Sequence, residues 1–130
     1  MHTEDQHFSL WNQFNEAVDK ARHQGNMSKA SKLLKEALRE AEEYGEIPPV
    51  LVEKAQALGD AYVVQHRFQE AELLFRSVLE LREKLLGPAH ADVAESLKLV
   101  AMVQILGFRA EALGRSVLPA TWMQNFSAAS

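Results

Sequence analysis

An all-α fold is predicted: a short right-handed solenoid of three helical hairpins with a C-terminal tail. Three observations predict it. Ala30, Ala71 and Ala112 occupy matching contexts (KASKLLKEAL, EAELLFRSVL, EALGRSVL), each 41 residues after the one before. A period in the low forties is that of a helix–turn–helix unit copied along a chain, each copy burying its apolar face against the next. Apolar residues also recur at helical spacing almost everywhere, with no long alternating run that would suggest a strand. Glycine- and proline-bearing breakers separate the helical stripes.

Taken in order, Trp11, Phe14, Val18 and Ala21 form the first stripe, in a helix expected over 8–24. Gly25-Asn26 breaks the chain before a second helix over 27–44, whose stripe is Met27, Ala30, Leu34, Ala37, Ala41 and Tyr44. Gly45 and Pro48-Pro49 divide it from a third helix over 48–65, with Val52, Ala55, Leu58 and Tyr62 on one face. The fourth, over 68–86, carries Leu74, Val78, Leu81 and Leu85. Gly87-Pro88 ends it, because proline starts a helix well but cannot continue one. A fifth helix over 90–106 and a sixth over 109–118 complete the third pair. The expected organisation is a leader at 1–8, a repeat domain at 9–118 (units 9–46, 47–88 and 89–118) and a tail at 119–130. On the solvent faces, Lys32 with Glu36, Arg39 with Glu43, Arg76 with Glu80 and Glu80 with Lys84 lie four apart, where opposite charges meet for ~0.2–0.5 kcal/mol each.

The middle unit, LGDAYVVQHRFQEAELLFRSVLEL, resembles the tetratricopeptide repeat family, with Leu58, Gly59, Tyr62, Phe68, Ala71, Phe75 and Leu79 in the family's pattern positions. The junction LGPAHADVAESL is similar to that of the longer repeats of kinesin light chains. The first unit matches more loosely through Phe14, Gly25, Ala30, Leu34, Ala37 and Leu38. Physical chemistry agrees with the resemblance: Gly59 and Ala71 are small where the helices of one hairpin approach, and Tyr62, Phe68 and Phe75 are large where gaps need filling. The third unit departs from the pattern. Ala101 stands 42 residues after Gly59, whereas AEALGRSVL (110–118) follows AELLFRSVL (71–79) by 39. The fifth helix or its turn is therefore expected to be shortened by nearly one turn, with Gly114 in the place of Phe75 and Pro119 ending the last helix.

Composition narrows the function. The 130 residues are 47% apolar and 25% charged, ordinary for a globular domain. A net charge of −4 argues against a general phosphate-binding surface, so no nucleic-acid partner is expected. The absence of cysteine excludes disulfides and thiolate metal sites. No stretch approaches the ~20 apolar residues of a membrane helix, and the start MHTEDQHFSLW lacks the features of a secretory signal. A cytoplasmic protein without a membrane role is expected.

No motif for chemistry is present. GxGxxG, Walker and GxSxG patterns are missing. His2 and His7 lie in the polar leader without the converging spacing of a metal site. His23 and His66 fall at helix C-termini, where imidazolium suits the dipole, and His90 follows the junction proline at a helix start. The expectation is a non-enzyme with no catalytic residue, cofactor or metal.

The resemblance implies a protein–protein interaction module, an adaptor or scaffold, because in that family the first helices of successive hairpins line a concave groove that holds a partner peptide or helix. Carried over, the groove residues are Asn12, Asn15, Asp19 and Arg22; Glu53, Gln56, Asp60 and Val63; and Glu95 and Lys98. Asp19, Glu53 and Asp60 replace the positive charge with which chaperone-binding members hold a C-terminal carboxylate, so a neutral or basic segment is favoured over an acidic one. Trp122, Met123 and Phe126 in the tail are large apolar side chains that suit a capping segment or an interface. The alternatives are a structural homo-oligomer, such as a homodimer, assembled through apolar ends and tail, or a regulatory subunit of an enzyme.

Overall fold

The computed structural model describes residues 3–116, and side chains within 7–114. Five helices follow one another: α1 (Thr3–His23), α2 (Met27–Tyr44), α3 (Pro49–Val64), α4 (Phe68–Leu86) and α5 (Ala91–Ser116). No strand occurs among the described residues. The hairpins α1–α2 and α3–α4 stack on each other, with α2 touching both α3 and α4 and α1 touching α3, and α5 packs along α4. This is the all-α solenoid that the repeat period predicts.

Local chemistry sets the turns. Asn26 caps α2, its Oδ1 accepting from Lys29 N at 3.0 Å. Gly45 ends that helix at φ 70°, ψ 32°, a left-handed conformation costly for a side chain, while Glu46 N returns to Ala41 O at 2.9 Å. Pro49 opens α3, where its missing N–H is not needed. His90 Nδ1 accepts from Asp92 N at 3.0 Å and so caps the start of α5. At the end of α1, His23 Nδ1 sits 2.7 Å from Asp19 O, one turn back along the helix.

The core runs continuously through all five helices. Ala30, Leu34, Ala37 and Ala41 of α2 are fully buried, as are Leu51, Ala55, Leu58 and Tyr62 of α3 and Ala71, Leu74, Phe75 and Val78 of α4. Gly59 is the most closely packed of the described glycines: a Cβ built on it would fall 2.5 Å from Cε1 of the Phe75 ring. The α3–α4 hairpin thus closes around a small residue facing a large one.

Two boundaries differ from expectation. The segments 90–106 and 109–118 are not separate helices, because α5 runs unbroken from Ala91 to Ser116. Gly107 lies 41 residues beyond His66 and 82 beyond Gly25, two turn residues with φ of 60° and 75°. At Gly107 the helix simply continues. Glycine permits a turn without enforcing one, at a cost of about 1 kcal/mol inside a helix. The following Arg109-Ala110-Glu111-Ala112-Leu113 are strong helix formers, and no capping side chain follows the glycine as Asn26 follows Gly25.

At the other end, α1 reaches back to Thr3 through most of the expected leader. A tertiary contact holds it. Glu46, in the α2–α3 connection, accepts hydrogen bonds from His7 Nδ1 and, at 2.7 Å, from Trp11 Nε1. The His7 ring lies 4.2 Å from that of Tyr44, centroid to centroid. Burial alone would raise the Glu46 carboxyl, but the hydrogen bonds from His7 and Trp11 and the attraction of His7 outweigh it and hold its pKa below the ordinary value of 4.5. A lowered carboxylate contributes stability above its unfolded-state pKa and loses it as pH falls through the folded-state value. Acidification below about pH 4.5 should therefore release the start of α1. In a Trp122→Phe background, Trp11 fluorescence is expected to shift on titration from pH 7 to pH 3, and Glu46→Gln should abolish that transition. An identical titration in both proteins would refute the clasp.

Surface charges also pair differently from the simple spacing. Arg76 turns back to Glu72 at 2.5 Å and Lys84 crosses from α4 to Glu42 of α2 at 2.6 Å, in place of Glu80. Glutamate on the N-terminal side of a cation is the better orientation on a helix, which favours Glu72–Arg76.

Candidate functional site

A cleft that holds two of the expected groove residues, Glu53 and Gln56, lies between α3 and the start of α5, floored by the end of α4. It encloses about 470 Å³ and is lined by Ile47, Pro49, Val52, Glu53, Gln56, Arg82, Leu86 and Asp92. Ile47, Pro49, Val52 and Leu86 make an apolar wall, and the other four are polar groups set around it. Such a mixture suits a ligand with an apolar body and a few hydrogen-bonding groups.

Four residues explain why the cleft exists. Arg82 spans from α4 to α5, its guanidinium donating to Ser96 Oγ at 2.8 Å and to Asp92 O at 3.2 Å. Ser96 is buried with only 1% exposure, so this strut fixes the far wall. Pro48 and Pro49 fix the near wall by starting α3 without a side-chain cap.

The structure distributes the expected groove residues unevenly. Glu53 and Gln56 line the cleft together. Asp19 is already engaged, paired with Lys54 of α3 at 2.8 Å, which ties α1 to α3 and neutralises one of the acidic groups. Asn12 and Asn15 are half-buried on α1, Arg22 and Asp60 are exposed, and Val63 is half-buried. Glu95 and Lys98 are exposed on α5 but do not line the cavity; Asp92 does. Trp122, Met123 and Phe126 lie outside the described residues.

Two of these side chains keep a buried polar atom without a hydrogen-bond partner, Asn15 Oδ1 and Gln56 Nε2. An unpaired buried amide costs about 1–3 kcal/mol, so each retains a strong demand for a complementary group. Arg82 and Asp92 are site residues that the sequence did not single out. Assigning the groove to first helices alone excludes Arg82, which stands on a second helix, and Asp92 reads as a helix-start residue. Among the described residues no three histidine, aspartate or glutamate side chains gather as a metal site, and no helix is long and apolar enough to cross a membrane.

A stack of helical hairpins with a polar-lined cleft defines a helical-repeat fold. Residues 55–92, from mid-α3 through α4 to the start of α5, match the family model of the tetratricopeptide repeat. That family is generally a non-catalytic fold for binding other proteins. No curated protein matches the chain.

Proposed function

We propose that the chain is a non-catalytic, cytoplasmic adaptor that holds a peptide segment or helix of a protein partner in the α3–α5 cleft. The observation that carries this reading is the cleft itself, where Ile47, Val52 and Leu86 form an apolar wall beside the polar groups of Glu53, Gln56 and Asp92. A peptide segment supplies an apolar side chain for that wall and backbone groups for the polar rim. Glu53 and Asp92 in the cleft, with exposed Asp60 and Glu95 nearby in sequence, favour a neutral or basic segment. Arg82 is occupied by its bonds to α5 and offers little to a carboxylate. Closer kinship to kinesin-light-chain repeats remains part of the proposal and rests on the Leu86-Gly87-Pro88 junction.

Panning a random peptide library on the wild-type protein tests the reading. Selected peptides should be apolar with Lys or Arg, and Glu53→Lys/Asp60→Lys should weaken them about tenfold at low salt, roughly 1.4 kcal/mol. Peptides that bind the double variant as well as the wild type would remove the cleft from consideration.

A further inference from the structure

Helix α5 has a second apolar face. Five of the nine exposed large apolar side chains among the described residues stand on it: Leu97, Met102, Ile105, Phe108 and Leu113. Its buried face, Val93, Ser96, Val100 and Val103, packs toward α4. On the far side, Ala94, Leu97, Ala101, Ile105, Phe108 and Ala112 are all exposed, at spacings of 3, 4, 4, 3 and 4 that keep them in one stripe. The stripe is ~27 Å long at 1.5 Å per residue. Phe108 is 73%, Ile105 58% and Leu97 48% exposed, so the stripe is fully accessible.

The neighbouring unit shows what such a face does. At an offset of 42, Val93 and Val100 correspond to Leu51 and Leu58, and all four are buried. Ala94, Leu97 and Ala101 correspond to Val52, Ala55 and Gly59, which are buried in the α3–α4 hairpin, Gly59 directly beneath the Phe75 ring. On α5 the same three places are open. The face therefore has the pattern of one that receives a helix.

We infer that this stripe is the contact by which two copies of the chain pair, α5 against α5, antiparallel about a twofold axis near Val103. A twofold contact must be self-complementary, so that residue i meets residue j and j meets i. The stripe meets this requirement. Ala94 and Ala112 each lie nine residues from Val103, Ala101 and Ile105 each two, and Leu97 and Phe108 six and five. Antiparallel pairing sets Ala94 against Ala112, Leu97 against Phe108, and Ala101 against Ile105 of the other copy. A single helix pair of this length lies at the small end of specific interfaces, roughly 1,000 Å² in total. The dimer should accordingly be reversible, with Kd on the order of 10 µM. Ile105 and Phe108 do not line the α3–α5 cleft, so this pairing stands or falls apart from peptide binding there.

Sedimentation equilibrium from 1 to 200 µM, with a short bis-maleimide cross-linker as the register probe, tests the inference. Wild type should pass from monomer to dimer, and Ile105→Glu/Phe108→Glu should remain monomeric with an unchanged circular dichroism spectrum, because both side chains are exposed in the single copy. The chain has no cysteine, so only introduced thiols react. Ala94→Cys and Ala112→Cys should not cross-link alone but should do so when mixed, since the two sites on one helix are ~27 Å apart. A monomer at every concentration, cross-linking of either single variant alone, or a dimer untouched by the double glutamate variant would each overturn the proposal. So would a monomer that dimerises only after residues 119–130 are removed, which would make the chain's own C-terminal segment the occupant.

Discussion

Truncating Tyr62 to alanine is expected to cost about 3–5 kcal/mol, the usual range for removing a buried aromatic ring. Tyr62 has no exposed surface and joins the α3 face to the rest of the core. Its ring also lies under the Arg67 guanidinium, 4.7 Å from ring centroid to Cζ, for about a further 0.5–1 kcal/mol. A domain of this size is stable by only about 5–15 kcal/mol, so the loss is at least about a fifth of the total. Urea unfolding followed by circular dichroism should show a midpoint lowered at unchanged slope, because the same surface is exposed. Tyr62→Phe keeps the ring and should cost under about 1.5 kcal/mol. A loss below that for Tyr62→Ala would mean that the ring is not an organising part of the core.

The second large effect is expected at Gly59. A methyl group there would meet Phe75 Cε1 at 2.5 Å and Cζ at 2.7 Å, and Phe75 is itself buried with 1% exposure. Overpacking of this kind costs about 1–3 kcal/mol. Gly59→Ala regains about 1 kcal/mol of helix propensity, so its net cost should be modest. Gly59→Leu adds three more carbons to the same contact and should cost about 3 kcal/mol or more. The diagnostic is a double-mutant cycle. With Phe75→Leu the ring is gone, and Gly59→Ala should then become neutral or stabilising. If Gly59→Ala costs the same in both backgrounds, the Gly59–Phe75 contact is not what limits packing.

Most of the architecture was legible because each helix announces itself twice, by a stripe and by its breakers. Gly45 with Pro48-Pro49, and Gly87-Pro88, place the helix ends within a residue or two of where they fall. The middle unit was clearest, since Gly59, Tyr62, Ala71 and Phe75 specify both the period and the packing. Two ends escaped this reading for different reasons. The start of α1 depends on His7 and Trp11 meeting Glu46, a contact spanning 39 and 35 residues of sequence that no local pattern encodes. The C-terminal half of α5 offers a glycine in a turn position but surrounds it with helix formers, and propensity prevails.

The candidate site was legible in part. Glu53 and Gln56 follow from their place on the inner face of α3 and do share the cleft. Asp19 was placed correctly on α1, but spacing could not reveal that Lys54 would neutralise it. Arg82 and Asp92 enter only because α4 and α5 lie side by side, which is a fact of tertiary packing.

The two flanks of the stack are chemically unequal. On α1, Gln13, Glu16 and Lys20 turn outward to solvent, whereas α5 turns out alanine, leucine, isoleucine and phenylalanine. The array consequently has a direction of growth: a further hairpin grafted after α5 would find a ready apolar seat, and one grafted before α1 would have to desolvate charge to settle.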